Sequence, residues 1–499
     1  MLVTLRHWSH WTGKQVHPFR LLLEAVCTCW ALWPLAILAY VFAARMFYPI
    51  DLEWCEGGAL YEAYRMLHGS PVYTRADPSW APFPYPPAHT AVLALVGLVH
   101  LDFWTARLIS VAFFGLMCWA TFRELYRHLH RSSFGIAVGA FAVATLCCAY
   151  PLVGQWYDLG RVDTMMLALA LFGISVMSER KASTTRVLVA AVLLTAAVYT
   201  KQTGAFFVAW VCLFATVREP LIGLKLSAAT FALCMITLGL LEWSTNGGFW
   251  FWTIAGLESH KVDDARIVEG LRSIYDFAPL CVLIPVGVLV LGLRRMLSER
   301  SILWSGALFV ALPASLLPYA KAGGYLNNLM PLAVLVGPVM ALLVSDVIRQ
   351  PGPLDVPARW SLLAALSLFV AAHPLKASDY VPRQQDWQAA KELNAFVASL
   401  KGGVVSPYLA FLPAHNGHSN PNWHSMVVWD SIWRGEPMSQ VQAFLKSKAR
   451  WVILNSSDEG DLGRFVRANY KHRRVVPLAA RVRMITGAGI VIDEAWEKD

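Results

Sequence analysis

Long apolar runs alternate with short polar connections over most of this 499-residue chain. The runs lie near Leu21–Ala44, Thr105–Ala120, Phe134–Tyr150, Thr164–Met177, Val187–Tyr199, Gly204–Val217, Leu226–Leu241, Phe277–Leu293, Ile302–Tyr319, Leu329–Val344 and Trp360–Ala372. An α-helix needs roughly 20 apolar residues to cross a bilayer, so the pattern predicts a polytopic α-helical membrane protein with about eleven spans. A further run, Ala88–His100, follows the proline-rich PFPYPP and has only about 13 residues, too few to cross. It predicts a re-entrant or interfacial helix within one long loop, residues 51–101. After Lys376 the pattern changes to short apolar runs (GVVSPYL, ARWVILNSS, GAGIVIDEA) separated by amphipathic helix-like stretches. This predicts a transmembrane domain over 21–376 and a small α/β or α+β soluble domain over 377–499.

Composition agrees: 57% of residues are hydrophobic and 15% charged, excluding a single soluble domain with a polar surface. Arg6, Lys14 and Arg20 precede a first run long enough to span, so residues 1–20 are expected to be a cytoplasmic N-terminus. Basic residues gather at every second connection, as Arg123, Arg127 and Arg131; Arg180, Lys181 and Arg186; Arg218 and Lys225; Arg294, Arg295 and Arg300; Arg349 and Arg359. Such connections are cytoplasmic by the positive-inside rule, which places the other connections and the C-terminal domain outside a plasma (inner) membrane. The net charge of +9 therefore reports orientation and does not imply nucleic acid. Of nine cysteines, only Cys55 lies outside the apolar runs, so neither a disulfide framework nor a cysteine metal site is suggested.

The expected outer face collects the candidate chemistry. Asp51, Glu53 and Glu56 in YPIDLEWCEGG follow the first apolar run directly. Carboxylates at a bilayer edge are functional candidates, as general base, metal ligand or counter-ion. A helix starting near Leu52 would put Glu53 and Glu56 on one face with Asp51 at its end, and helix capping is the bland alternative. In QWYDLGRVD, Asp163 reads equally well as an N-cap, whereas Asp158 and Arg161 are harder to dismiss. Lys201, beside Gln202 in TKQT, and Lys321 in AKAGGYLNN are cations where the topology rule disfavours them. With Arg161 they suggest an anion cradle; snorkelling would explain any one of them. Gly323, Gly324, Asn327 and Asn328 suit either a tight turn or amide contacts to a hydroxyl-rich ligand. The Trp243–Tyr275 segment reads as a mobile amphipathic loop over the site or as an interfacial aromatic belt. His415, His418 and His424 read as part of a polar surface loop.

Acids after the first helix, the YPP helix start, the acid-Arg-acid loop DLGRVD and the TKQT turn together resemble the GT-C superfamily of membrane glycosyltransferases. Its members include protein O-mannosyltransferases and the aminoarabinose transferases acting on lipid A. The resemblance covers about residues 20–345 and lies in the order and sidedness of these motifs. It implies an outward-facing site, a polyprenyl-phosphate-linked sugar donor and a first-loop acid as catalytic base. Asp51 matches that acid, with Glu53 completing the motif and Glu56 neighbouring it. Asp158, Arg161 and Asp163 match the second-loop motif, and Lys201 the outer-turn lysine. The order Pro86, Pro87, Ala88, His89 departs from the His-Pro-Pro of the mannosyltransferases, so the resemblance singles out neither mannose nor a protein acceptor. The acceptor is then an envelope glycan, lipid or protein. A divalent cation, Mg or Mn, is compatible with the motif, with Asp51, Glu53 and Asp163 as its ligands, but the motif also works without one. The rival readings are a transporter or lipid-linked-glycan flippase, which would want polar groups at mid-membrane, a non-catalytic scaffold, and an O-antigen-ligase-like transferase.

Overall fold

The computed structural model describes residues 18–74, 80–179, 183–350, 355–422, 424, 439–476, 481–487 and 489–498. The expectations for Arg6, Lys14, Arg180 and Lys181 lie outside these residues. Every predicted apolar run is helical, in order α1 (Pro18–Met46), α4 (Phe103–His128), α5 (Ser133–Cys148), α6 (Val162–Met177), α7 (Thr184–Thr200), α8 (Gly204–Arg218), α9 (Pro220–Thr245), the pair α11 (Asp264–Phe277) and α12 (Leu283–Leu293), α13 (Glu299–Ala320), α14 (Met330–Ile348) and α15 (Asp355–Ala372). Between α1 and α4 lie α2 (Glu56–Leu67) and α3 (Ala88–Gly97), and α10 (Gly248–Thr253) follows α9. At 10 residues α3 is too short to cross, as expected for an interfacial helix.

Among the described residues, six helices are long and apolar enough to span, or seven if a bent pair counts as one. The expected span over Phe277–Leu293 is the second arm of that pair, Pro279–Leu293, which meets Asp264–Phe277 at 111° across a break at Ala278. Helices α5, α6, α7 and α8 have 16, 16, 17 and 15 residues. At 1.5 Å per residue they reach roughly 22–26 Å, short of a hydrocarbon core of about 30 Å. They stop short because the residues that would extend them, 149–161 and 201–203, fold into polar turns at one end of the bundle. Helices α5 and α6 are apolar on all sides and almost wholly buried, forming the centre of the bundle.

The C-terminal part begins with α16 (Gln384–Ser399) and contains a four-stranded mixed sheet in the order β1-β2-β6-β3. Strands β1 (Val404–Val405) and β2 (Trp451–Leu454) pair in parallel; β6 (Glu494–Glu497) runs antiparallel to both β2 and β3 (His472–Val475). A separate ribbon joins β4 (Val482–Arg483) to β5 (Val491–Ile492). This part shares an apolar core with the bundle, since Leu393, Val404, Leu409 and Met484 pack in the same buried cluster as Val41, Phe114 and Tyr150.

The two ends of the bundle differ in charge. At one, the basic residues meet acids: Arg123 with Glu124 of its own helix and with Glu179, Arg300 with Glu124, His128 with Asp346. At the other sit the first-loop acids, DLGRVD, TKQT and the C-terminal sheet.

Candidate active site

The first loop turns twice before its helix forms. The expected helix start near Leu52 is replaced by a turn over residues 51–55, with α2 beginning at Glu56. Side-chain carboxylates take the turn's backbone donors: Glu56 Oε2 accepts from Leu52 N at 2.9 Å and Glu53 Oε2 from Cys55 N at 3.1 Å. Glu53 and Glu56 therefore do not share a helix face.

The three acids part company chemically. Glu56 is saturated: the Arg107 guanidinium reaches both its oxygens, at 2.9 and 2.7 Å, and Gly160 N donates to Oε1 at 3.0 Å. Arg107 also donates to the carbonyls of Arg45, Tyr48 and Ile50, pinning the end of α1 to the loop. Asp51 is fully buried, and its Oδ1 accepts from Gly57 N at 2.5 Å. Any side chain at Gly57 would collide with that carboxylate, since a Cβ there would stand 2.4 Å from Oδ1. One oxygen thus takes a first-turn N–H of α2, although Cys55 and not Asp51 stands at the cap position, while Oδ2 has no hydrogen-bond partner among the described residues. Burial, with Glu56 adding repulsion, holds the Asp51 carboxyl well above the usual carboxylate range. Burial also pushes Glu53 up to about 7, with Arg161 pulling the other way.

The second-loop motif divides in the same manner. Asp158 pairs with Arg45 at 2.8 Å and accepts from the Tyr150 hydroxyl, so it serves the junction of α1 and α5. Arg161 donates Nη1 to Cys55 O at 2.9 Å, lies over the rings of Phe83 and Tyr85, and keeps Nε without a partner. Asp163 does not cap α6; the residue in that position is Arg161. Instead Asp163 Oδ1 accepts from Lys201 Nζ at 2.6 Å and Asn327 Nδ2 at 3.0 Å, and Oδ2 is left over.

The expected anion cradle comes only partly together. Lys201 Nζ is held between Asp163 and Asn328 Oδ1, so it ties three elements together. Lys321 Nζ donates to Leu257 O at 3.2 Å, away from the carboxylates. Gln202 donates to the carbonyls of Pro84 and Thr253, fastening the first loop to α10. The Trp243–Tyr275 segment is largely helical; Phe249 and Trp252 are buried, with Trp252 bonded to Thr74 O, while Trp243 and Trp250 stay exposed. At Gly324 the tight-turn reading holds: a Cβ would stand 2.3 Å from Pro318 O.

The C-terminal part covers the acids. Thr486 N donates to Leu52 O at 3.0 Å, and Gly487, at φ +81°, lies so close that a Cβ would meet Glu53 Cγ at 2.9 Å. The three histidines go to different places. His418 meets Val397 O and His415 stands near Asp102, while His424 is buried against Trp54 and Phe83. For His424 this corrects the surface-loop reading.

Among the described residues no group of three or more His, Cys, Asp or Glu is arranged to hold a metal ion. Asp51, Glu53 and Asp163 do not form the ligand set that a divalent cation would require. The sequence assigns no role to Arg107, Arg45, Gly57 and Tyr85, and shows His89 only as a departure from a motif. An arginine two residues into the apolar run Thr105–Ala120 was the available signal, because charge there must be paired.

No protein-family model matches the sequence, and no curated protein matches it. Solved structures do. ArnT from Cupriavidus metallidurans in the apo state aligns at a TM-score of 0.60 with 12% identity, over 94% of this chain and 98% of that one. The same protein bound to undecaprenyl phosphate aligns at 0.53, also with 12% identity, over 93% and 98%. At such identity the likeness is one of fold, and it runs through the C-terminal part as well as the helices. With six helices long and apolar enough to cross a membrane among its described residues, this chain has the fold of ArnT.

Proposed function

We propose that the protein transfers a glycosyl group from a polyprenyl-phosphate-linked donor to an acceptor on the outer face of the plasma membrane, with Asp51 as the general base. The observation that carries this reading is the state of Asp51. It is one buried carboxylate with one oxygen fixed by a backbone N–H and the other free, its proton affinity raised by burial, on the fold that ArnT shows with undecaprenyl phosphate bound. In its ionised form such a group is a stronger base than an exposed aspartate.

In the proposed step the acceptor oxygen attacks the anomeric carbon while the bond from that carbon to the phosphate oxygen breaks. The acceptor proton passes to Asp51 Oδ2, and the lipid phosphate leaves with the bonding pair. A single displacement inverts the anomeric centre. Arg161, whose Nε is free, faces the developing phosphate charge. Glu56 and Arg107 hold the loop so that Asp51 keeps its place, and Lys201, Asn327 and Asn328 hold Asp163. The prenyl chain remains in the bilayer, so no nucleotide pocket is needed. No step uses a divalent cation.

The test is direct: incubate the purified protein with a panel of undecaprenyl-phosphate sugars and candidate acceptors, and measure released undecaprenyl phosphate. Release that depends on acceptor and on Asp51 supports the reading; no release with any sugar across the panel overturns it.

A further inference from the structure

His89 is the second residue of α3 and is 1% exposed, yet neither of its ring nitrogens has a hydrogen-bond partner among the described residues. Arg161 and Lys201 both lie over the ring of Tyr85, four residues before His89, and Lys201 holds Asp163. Arg161 and Asp163 each also keep one unpartnered atom, Nε and Oδ2 respectively, after their structural bonds are counted. Buried polar groups are almost always satisfied, so three neighbouring side chains with spare capacity mark a place where a ligand completes the bonding.

The kind of spare capacity identifies the ligand. Burial drives the His89 pKa down to about 3, which keeps the ring neutral, with one N–H donor and one acceptor nitrogen. Arg161 Nε adds a donor and Asp163 Oδ2 an acceptor. A phosphate ester only accepts hydrogen bonds, and a carboxylate oxygen facing it would repel. Hydroxyl groups donate and accept at once, matching a mixed set of both kinds. The Phe83 and Tyr85 rings, over which Arg161 lies, add apolar surface beside these groups.

We propose that His89, Arg161 and Asp163 form a sugar-reading subsite that takes the hydroxyl groups of a neutral glycosyl unit on the lipid-linked donor, with His89 a specificity-determining contact. This rests on the glycosyl-transfer reading above. Arg161 then serves both the sugar, through Nε, and the phosphate, through its positive charge.

The experiment measures binding to the full-length protein in nanodiscs. The probes are undecaprenyl phosphate alone and undecaprenyl phosphate carrying glucose, mannose, galactose or arabinose. His89→Leu is expected to weaken the tightest sugar-bearing probe by about 10-fold or more, because hydroxyls lose their partners, and to leave undecaprenyl phosphate within about 2-fold. His89→Asn, which keeps a donor and an acceptor, should recover most of the loss. The melting temperature without ligand should hold or rise in His89→Leu, since an unpartnered buried imidazole is removed, an outcome that a purely structural histidine would not give. Equal weakening of sugar-bearing and sugar-free probes overturns the assignment, as does no weakening of either, while glycosyl transfer itself stands. If wild type shows no preference for any sugar-bearing probe, the glycosyl-transfer reading falls and the subsite with it.

Discussion

The two ends of the helical bundle carry buried charge in opposite ways. At the end where the basic connections gather, Glu124, Arg127, His128 and Arg218 each stand within 4 Å of an opposite charge. Charges there lie in ion pairs, with Arg218 Nη2 left over among the described residues, and the network closes helix ends capped by Ser132, Ser183 and Ser298. At the other end two kinds of group are interleaved. Glu56 with Arg107, and Asp158 with Arg45, are ion pairs like those at the first end, with only Arg45 Nη2 left over. Asp51, Arg161, Asp163 and His89 each retain a buried polar atom with no hydrogen-bond partner among the described residues. Burying charge is therefore not the mark of a functional site in this fold. Spare capacity gathered around an unpaired carboxylate is, because a substrate can complete it.

The most severe way to break the comparison is Asp51→Asn. An amide at this place retains the contact to Gly57 but cannot take a proton, so transfer should fall by roughly 10²–10⁴ with the melting temperature nearly unchanged. Lipid-phosphate release and a thermal melt in detergent read both. Substantial activity in Asp51→Asn would move the base to Glu53. Glu56→Gln should do the reverse. It strands the Arg107 guanidinium in a buried place, costing about 3–5 kcal/mol of stability, and lowers activity mainly through the folded fraction. An Arg107→Met, Glu56→Gln double variant should regain part of that stability, since paired removal leaves no unmatched charge. A stable but inactive Glu56→Gln protein would show that Glu56 belongs with the unpaired groups after all.

The helices were legible in the sequence because hydrophobic periodicity is local. All the long runs became helices, and even the short Ala88 run was separable by length. The number of true spans was less so, because α5, α6, α7 and α8 give up residues to the polar turns beyond them, a trade only the assembled site explains. Within the site, sequence found which residues were chemically unusual but not how they were apportioned. Asp51, Glu53 and Glu56 look alike in YPIDLEWCEGG; what separates them is an arginine 51 positions after Glu56 and a glycine six after Asp51. Lys201 and Lys321 likewise look equivalent until the carbonyls and amides that occupy them are seen. His89 was visible only as a departure from a motif.

Titration sharpens the contrast from another side. Burial raises both Glu53 and Glu62 from 4.5 to about 7 in the folded chain. An acid with a raised folded-state pKa holds its proton longer when folded than when unfolded, so the folded state binds more protons between about 4.5 and 7. Stability should therefore fall as pH rises through that window and level off above it. The slope is at most about 1.4 kcal/mol per pH unit for each group. Melting curves from pH 5 to 8.5 should show the decline, and Glu53→Gln and Glu62→Gln should each flatten it. A Glu53→Gln protein with an unaltered slope would mean that Glu53 is ionised in its pocket, held there by Arg161.

Smallest of all should be the effect of Lys321→Gln, and it discriminates most finely among the cations. Arg161 has a free nitrogen beside the acids; Lys201 is consumed by Asp163 and Asn328; Lys321 reaches one carbonyl, of Leu257, from a half-buried position. If spare capacity is what defines the site, donor binding should drop most in Arg161→Gln. Lys201→Gln should act by loosening Asp163, weakening binding together with stability. Lys321→Gln loses a single partly exposed hydrogen bond, within about 0.5–1.5 kcal/mol of stability, and should leave undecaprenyl-phosphate affinity unchanged. Three equal losses in donor affinity would instead mean that all three cations converge on the phosphate when the donor is bound. Lys321 would then have to leave Leu257 to get there, and the division between saturated and unsaturated groups would not survive substrate binding.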